Sequence, residues 1–404
     1  MLEVKKIKFK ILYVSYDGLN DQLGHSQIIP YIKIINLKNT VHVLSFEKIN
    51  IKNYLDEHLN ELNINWTKLK FTKKSFFLIK VIDFFKLIFY PLYISIFYKV
   101  DAIHCRGHLP ALSGLLCKYL LNKKFIFDCR GLWADERIDN GSWNTNKLFF
   151  KIIYSFFKKL ELVFFKKSDF TIVLTENIKN HLTNTNVINS NNTYIIPCCA
   201  DYSKFNIVNN SHLVDFKKKL NFTDNQIVIG YFGSINQIYM PNEMLSYFSF
   251  FKKKYPNAKF ILISKDFTYF TNNYNKILDL YKHDIFFISP KQSDLVLYYN
   301  ICNLTLCFVK NSFARKASSP TKIAESLACG TPVVYNEDVG DNKLLLSKIY
   351  KNGGISSFDD SDLEKSVVNF NFDSLTPDEI RNNSKEYYDL SLAKIKLDMI
   401  YDCI

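Results

Sequence analysis

The sequence lacks the cysteine spacings that bind zinc. Its nine cysteines include no C-x-x-C pair; Cys198 and Cys199 are adjacent, and Cys302 and Cys307 are five residues apart. Neither spacing is typical of a zinc site. Several of the nine lie within or beside apolar runs, so we expect buried thiols in a protein of a reducing compartment.

We also expect neither a targeting signal nor a membrane-spanning segment. The N-terminal residues MLEVKKIKFKILYVSYDG contain neither the apolar region nor the cleavage site of a signal peptide. The most apolar stretch, residues 76–97, contains three charged residues and Pro91, which disfavour a spanning helix. We therefore predict a cytoplasmic protein, with peripheral attachment at the inner face of the cell membrane as an alternative.

Carboxylate pairs of the kind that chelate a metal–diphosphate complex do not stand out. No D-x-D sequence is flanked by apolar strands, and residues 359–362 (DDSD) fit a turn and a helix cap better. We therefore predict that the protein needs neither a metal ion nor a cofactor.

Glycine is scarce, with 12 residues, whereas Phe (35) and Tyr (25) are abundant. With the many Lys, Asn and Ile residues, this composition is typical of AT-rich coding DNA, so the aromatic content says little about function. The net charge of +13 suits nucleic acid, an anionic membrane or a phosphorylated small molecule. Because the lysines are scattered along the chain, we do not predict a nucleic-acid partner.

The chain has 404 residues, 48% of them hydrophobic, which is enough for two cores. Continuous apolar runs such as KILYVSY and IVIGYFG alternate with longer amphipathic stretches, a pattern that predicts buried parallel strands joined by helices. We predict an α/β protein with two Rossmann-like doubly wound domains, residues 1–205 and 206–377. A helical segment, residues 378–404, is expected to pack back toward the first domain. Ligands of such sheets bind at the carboxyl ends of the strands.

The most informative motif is SSPTKIAESLACGTPVVY, residues 318–335. Pro320 suits the first turn of a helix, with Ser319 as its N-cap, and the later Gly-Thr-Pro ends that helix. A helix N-terminus with Lys322 beside it can bind a diphosphate. Glu325 lies on the same face and can accept hydrogen bonds from two vicinal hydroxyls, as a ribose provides. The alternative is a surface Lys–Glu pair on an ordinary helix.

This motif resembles the donor-binding signature of GT-B glycosyltransferases, specifically the retaining glycosyltransferase 4 family. Other segments resemble the family in the expected order: residues 19–38, 124–136, 158–182, 195–205 and 229–235. The resemblance covers nearly the whole chain. It implies two domains facing a cleft and retaining transfer of a sugar from a nucleoside-diphosphate sugar to a glycan or lipid-linked acceptor. The branch resembled implies synthesis of a bacterial surface polysaccharide, such as lipopolysaccharide or capsule.

The resemblance also implies roles for single residues. Glu325 matches the position that binds the nucleotide ribose, and Gly233 matches the turn after the first strand of the nucleotide domain. Gly24 matches an N-terminal loop that approaches the donor. The expected donor-binding residues are Gly24, Ser26, Gly233, Ser234, Lys265, Lys291, Arg315, Ser319, Thr321, Lys322 and Glu325.

One position and one short segment depart from the family pattern. Many members have a second glutamate where this chain has Ala317, and an Arg and a Lys where this chain has residues 234–237 (SINQ). The charge that compensates the phosphates must then come from other cations, for which the candidates are Arg315, Lys316, Lys322, Lys265 and Lys291. These departures keep a non-catalytic GT-B-fold subunit open as an alternative. A nucleotide-sugar epimerase or a sugar-phosphate synthase on the same scaffold is the other alternative.

The expected catalytic residues are Arg130, Asp128 and Lys322. Arg130 replaces a strand-end histidine of many family members and is placed to touch the transferred sugar or a phosphate. Asp128 suits acid–base chemistry or a helix cap. Four further polar residues nearby suit either the cleft or structural roles: Asp135, Glu136, His104 and His108.

Residues 68–99 form a basic, aromatic stretch. Lysines accompany a broad apolar surface there: Lys70, Lys73, Lys74, Lys80 and Lys86. A helix of this kind can lie on an anionic membrane surface. The alternative is a core helix with a basic solvent edge.

Overall fold

The computed structural model describes residues 9–48, 53–72 and 77–404. They form two compact units: the chain up to Pro197 together with Ser391–Ile404, and Cys198–Leu390. Lys73 and Lys74 of the proposed membrane stretch lie outside the described residues, as does the side chain of Lys80.

The first unit is built on a parallel sheet with the strand order β3-β2-β1-β4-β5-β6-β7. Its strands are β1 (Lys10–Ser15), β2 (Thr40–Glu47), β3 (Asn65–Lys70), β4 (Ala102–Arg106), β5 (Lys124–Asp128), β6 (Phe170–Val173) and β7 (Thr193–Ile195). Its helices are α1 (Gln22–Gln27), α2 (Ile29–Asn36), α3 (Asn53–Glu61), α4 (Phe77–Phe97), α5 (His108–Leu121), α6 (Trp133–Asp139), α7 (Leu148–Lys167) and α8 (Glu176–Asn184).

The second unit has a parallel sheet with the order β10-β9-β8-β11-β12-β13. Its strands are β8 (Val228–Phe232), β9 (Lys259–Ile263), β10 (Ile285–Ile288), β11 (Leu304–Cys307), β12 (Val333–Asn336) and β13 (Gly354–Ile355). Its helices are α9 (Asn210–Lys219), α10 (Pro241–Lys254), α11 (Phe267–Leu280), α12 (Leu295–Ile301), α13 (Thr321–Ala328), α14 (Asn342–Ile349), α15 (Asp360–Asn369) and α16 (Pro377–Tyr388). The last helix, α17 (Leu390–Tyr401), lies almost entirely in the first unit.

The predicted strands are present because their apolar runs are buried on both faces. Every residue of β4, β6, β8 and β11 is buried. Right-handed crossovers between parallel strands place helices on both faces of a sheet whose strand order reverses. The two Rossmann-like doubly wound sheets of the prediction are therefore confirmed.

Two local predictions are also confirmed. The cysteines are free thiols, and all but Cys403 are buried. Asp359 is the N-cap of α15, where its carboxylate accepts a hydrogen bond from the Asp362 amide at 2.9 Å. No helix in the described part of the chain has the length and hydropathy needed to cross a bilayer.

Candidate functional site

The carboxyl ends of β8, β11 and β12 lie side by side in the second sheet. The turn after β8 contains Gly233, and the segment after β11 leads into α13 with Lys322 and Glu325. Because neighbouring parallel strands end at the same edge, these segments converge where ligands of doubly wound sheets bind. The structure thus brings together the central residues of the predicted donor site.

Position 233 requires a glycine because of its backbone conformation and because of the nearby Lys322 side chain. Its φ of +129° lies in a region that other residues rarely adopt, and a Cβ added there would lie 3.1 Å from the Lys322 ammonium nitrogen. The Gly233 amide donates to the Ile263 carbonyl at 2.9 Å, which fixes the turn against the end of β9. Glycine therefore lets the lysine approach the backbone of the turn.

Lys322 is half-buried among aromatic rings. Its ammonium nitrogen lies 4.1 Å from the centroid of Tyr231 and 4.6 Å from that of Tyr239, and it donates to the Tyr231 hydroxyl at 3.1 Å. Burial lowers the pKa of Lys322 to about 8, although Cys307 and Glu325 act in the opposite direction. Ring faces stabilise the cation but supply no negative charge. An anion bound here would complete its electrostatic balance.

Glu325 is held by a tyrosine from another helix. The Tyr299 hydroxyl donates to Oε2 of Glu325 at 2.9 Å, and the Tyr299 ring stacks on Phe232 at a centroid distance of 3.7 Å. Burial raises the pKa of Glu325 to about 7, while the Tyr299 hydrogen bond and the Lys322 charge oppose this rise. The carboxylate still has acceptor capacity for ligand hydroxyls.

The start of α13 differs from the prediction. The helix begins at Thr321 with Pro320 as its N-cap residue, and no side chain caps it. Ser319 was predicted to be the N-cap, which is wrong, because its hydroxyl accepts a hydrogen bond from the Cys198 amide at 3.1 Å instead. Ser319 therefore ties this segment to the start of the second unit, and Thr321 takes the first helical position.

The other predicted phosphate-binding cations lie in a short 3-10 helix before α13 and in the loops after β9 and β10. Arg315 and Lys316 belong to a short 3-10 helix, Phe313–Ala317, where Arg315 is partly buried and Lys316 is exposed. Lys265 and Lys291 are exposed in the loops after β9 and β10. Ala317, which stands where many family members have a second glutamate, is buried, with 2% of its surface exposed.

The first unit contains a different charged cluster, at the ends of β4 and β5. Arg130 donates from Nε to Asp128 at 2.9 Å, and Arg106 lies 3.8 Å from the same carboxylate. Burial raises the pKa of Asp128, but Arg130 and the His104 hydrogen bond outweigh it and keep the pKa well below its usual range. Asp128 is thus an ionised group that orients Arg130, which also lies 5.0 Å from the Tyr31 ring.

Both ring nitrogens of His104 have partners, as expected of a structural histidine. Nδ1 lies 2.7 Å from the Tyr401 hydroxyl of α17, and Nε2 lies 3.3 Å from Asp128. Burial lowers the pKa of His104, so the imidazole is neutral. A neutral ring that faces a carboxylate at Nε2 donates there and accepts from the tyrosine at Nδ1.

Two other candidate residues, His108 and Asp135, have structural partners as well. His108 lies 2.8 Å from the buried carboxylate of Glu161 in α7. Asp135 accepts hydrogen bonds from Tyr154 at 2.8 Å and from Lys158 at 2.7 Å. These contacts join α5, α6 and α7.

Gly24 and Ser26 both lie in α1, so the placement of Gly24 in an N-terminal loop is wrong, while their predicted role in donor binding stays a prediction. A Cβ at Gly24 would lie 2.3 Å from the carbonyl oxygens of Gly18 and Leu19, so only glycine fits where this helix packs on the preceding turn. The Ser26 hydroxyl donates to the Gln22 carbonyl one turn earlier.

Sequence reasoning missed the three tyrosines of the second unit's site. Tyr231 lies in β8, where its apolar neighbours suggest a core residue. Tyr239 belongs to a short 3-10 helix and Tyr299 to α12, 26 residues before Glu325. No local spacing links them to α13, because the contacts arise from the parallel strand order.

Among residues 9–48, 53–72 and 77–404, no group of three or more His, Cys, Asp or Glu side chains is arranged to hold a metal ion. The predicted independence from metal is a statement about the reaction and stays a prediction.

No family model and no curated protein sequence matches the chain. Solved structures do match its fold. HepE from Anabaena, solved with UDP and glucose, matches with a TM-score of 0.72 at 11% identity over 98% of this chain and 100% of that chain. A glycosyltransferase from Rickettsia africae matches with a TM-score of 0.68 at 15% identity over 98% of both chains. WaaG, a glycosyltransferase involved in lipopolysaccharide biosynthesis, matches with a TM-score of 0.69 at 12% identity over 96% of this chain and 99% of that one. These similarities confirm the predicted GT-B fold class.

Proposed function

We propose that this protein is a glycosyltransferase that uses a nucleoside-diphosphate sugar as its donor. The observation that carries the proposal is the arrangement of Gly233, Lys322 and Glu325 at the carboxyl edge of the second sheet. It offers a cation and a helix N-terminus for a diphosphate, and a carboxylate for a ribose. The fold neighbours support the proposal, since HepE was solved with UDP and glucose.

In this reaction an acceptor hydroxyl oxygen forms a bond to the anomeric carbon of the sugar. The bond from that carbon to the diphosphate oxygen breaks, and the acceptor proton is released. Negative charge builds on the leaving diphosphate, so groups placed to receive it accelerate the step. Lys322 and the first amides of α13 suit this role, with Arg315 as an additional cation.

The first unit is proposed to bind the acceptor. Arg130, oriented by the ionised Asp128, is the residue proposed to touch the transferred sugar or a phosphate. Retention of the anomeric configuration rests on the resemblance to the glycosyltransferase 4 family. A glycan or lipid-linked acceptor, surface-polysaccharide synthesis and a place at the inner face of the membrane are proposals of the same kind. Attachment to an anionic membrane through residues 68–99 is proposed as well.

The first test is a thermal-shift screen of the full chain against nucleoside diphosphates. A ligand that binds only the folded state raises its stability by mass action, so the preferred base should give the largest shift. UDP is the first compound to include, because HepE binds it. No shift with any nucleoside diphosphate would contradict the proposal.

Product analysis with a radiolabelled nucleotide sugar separates the alternatives. Transfer predicts label in a new glycoside and a free nucleoside diphosphate. Conversion of the sugar into its epimer would indicate an epimerase. Binding of the donor without turnover would indicate a non-catalytic subunit.

A further inference from the structure

Helix α7 has an apolar face that its own unit does not cover. Six large apolar side chains of this 20-residue helix are 37–74% exposed: Leu148, Phe149, Ile152, Phe156, Leu162 and Val163. The opposite side packs into the unit through the buried Phe164 and Phe165. Large contiguous apolar surfaces mark interaction sites in proteins.

Helix α4 adds a second apolar face to the same layer. Its exposed apolar residues are Ile82, Phe84, Phe85, Phe89, Tyr90, Tyr93, Ile96 and Phe97. Helix α5 packs against both α4 and α7, and the crossovers β3–α4–β4, β4–α5–β5 and β5–α7–β6 all run in one direction along the sheet. Right-handed crossovers therefore place the three helices on one face. More than half of the large apolar side chains exposed in the described residues belong to α4 and α7.

The exposed charges that these two helices contribute are of one sign. Each of the two helices contains a single acidic residue, and both are buried: Asp83 accepts hydrogen bonds from Thr72, and Glu161 pairs with His108. The exposed charged residues of α7 are Lys151, Lys159, Lys166 and Lys167. The surface thus combines aromatic groups with cations.

We propose that α4 and α7 together form a docking surface for an anionic lipid bilayer. Aromatic side chains are suited to the boundary between headgroups and acyl chains, and lysines at its edge are attracted to anionic headgroups. A second copy of the chain would place lysines against lysines, which opposes self-association through this face. Helix α7 makes the surface larger than residues 68–99 alone. The proposal does not depend on the donor chemistry of the second unit.

The test is co-sedimentation of the full-length chain with phosphatidylcholine vesicles that contain or lack phosphatidylglycerol. Binding to the anionic vesicles should be at least about tenfold tighter and should weaken at high salt, because the lysine contribution is screened. The double variant Phe149→Ser/Phe156→Ser in α7 should weaken binding at least about fivefold, since each apolar group buried in the interface contributes to binding. The double variant Phe85→Ser/Phe89→Ser in α4 should act in the same way.

Two matched controls lie in the second unit. Leu280→Ser/Val368→Ser removes side chains that are 72% and 60% exposed there, and should leave vesicle binding unchanged. Charge reversal in Lys151→Glu/Lys159→Glu should abolish the preference for anionic vesicles, whereas Lys218→Glu/Lys219→Glu in α9 should not. Circular dichroism and nucleoside-diphosphate binding of each variant show that it is folded.

Equal binding to anionic and neutral vesicles would overturn the proposal. So would wild-type affinity in both phenylalanine double variants, that of α7 and that of α4. Sedimentation velocity provides the remaining arm: a dimer that forms with increasing concentration and is lost in Phe149→Ser/Phe156→Ser would assign the face to a second copy instead. Nucleoside-diphosphate binding is measured separately, so a failure of the proposed donor site is distinguishable from a failure of this surface.

Discussion

The buried charges of the two units are balanced in different ways. In the first unit, Asp128 lies between Arg130 and Arg106, and its pKa is well below the usual range. In the second unit, Lys322 faces tyrosine rings and Glu325 accepts from a neutral hydroxyl. Their pKa values move toward neutrality instead, to about 8 and about 7.

The difference indicates which cluster is prepared for a ligand. In the first unit, the buried charges compensate one another within the protein. Removing one member of an ion pair therefore leaves its partner as an unpaired charge in a low-dielectric interior. In the second unit, the desolvation cost of Lys322 and Glu325 is only partly offset by protein groups. Perturbed pKa values of this kind are a feature of functional sites. A diphosphate and a ribose would supply the missing partners.

The largest expected effect is on stability, in Asp128→Asn. Losing the carboxylate leaves Arg130 and Arg106 without their shared partner, which should cost about 3–5 kcal/mol of unfolding free energy. Urea unfolding measures this cost. Glu325→Gln is the matched control and should change stability by less than about 1 kcal/mol, because its carboxylate already has a raised pKa. Equal losses in both variants would remove the distinction between the clusters.

Catalysis should depend on the cations of the second unit. We expect Lys322→Ala to lower turnover at least about tenfold, equivalent to roughly 1.4 kcal/mol of transition-state stabilisation. Arg315→Ala should also reach about tenfold, with the smaller effect of the two. Steady-state kinetics on folded variants tests both, with the exposed Lys343→Ala as the control. If neither variant changes turnover, Arg130 and the exposed lysines after β9 and β10 become the candidates.

The pH dependence of donor binding should reflect both perturbed groups. Affinity should rise as pH increases through about 7, where Glu325 becomes ionised, and fall above about 8, where Lys322 loses its proton. Tyr299→Phe removes a hydrogen bond that favours the ionised carboxylate. In the curve of donor affinity against pH, the rising limb should therefore move to higher pH by about one unit. The falling limb should stay in place.

Calorimetric titrations from pH 6 to pH 9 measure the two limbs separately, with Tyr298→Phe in the same helix as the matched control. An unchanged rising limb in Tyr299→Phe would show that Tyr299 does not set the ionisation of Glu325. A uniform loss of affinity at every pH would indicate a purely structural role for its hydroxyl.

The smallest expected effect is that of chelation. Turnover measured after dialysis against EDTA should equal that of the untreated protein, because Lys322 and the α13 N-terminus are proposed to compensate the diphosphate without a metal ion. Complete loss of activity, restored by Mg²⁺ or Mn²⁺, would contradict this prediction.

The sequence predicted those parts of the fold that local patterns determine. Continuous apolar runs located the central strands. The edge strand β3 is largely polar with only Leu69 buried, and β13 has two residues, so neither gave a clear signal. Lys322 and Glu325 were found because their motif is contiguous. Tyr299 was not, because its contact with Glu325 depends on how α12 and α13 pack where they precede the neighbouring strands β11 and β12.

The N-cap of α13 shows a second kind of limit on sequence reasoning. Serine before Pro-Thr-Lys has the right chemistry for a cap, yet the Ser319 hydroxyl is taken by the Cys198 amide, which is distant in sequence. Local preference can predict that a helix starts near this point. It cannot predict which of several competing donors a hydroxyl will bind.

The central claim is that Glu325 binds the nucleotide ribose at the edge of the second sheet. The most direct measurement is calorimetric titration of the preferred nucleoside diphosphate into the wild type and Glu325→Ala at a pH near 8. Losing a charged hydrogen bond should weaken binding by about 1.5–3 kcal/mol without unfolding the protein. The same affinity in both proteins would contradict the assignment of this site.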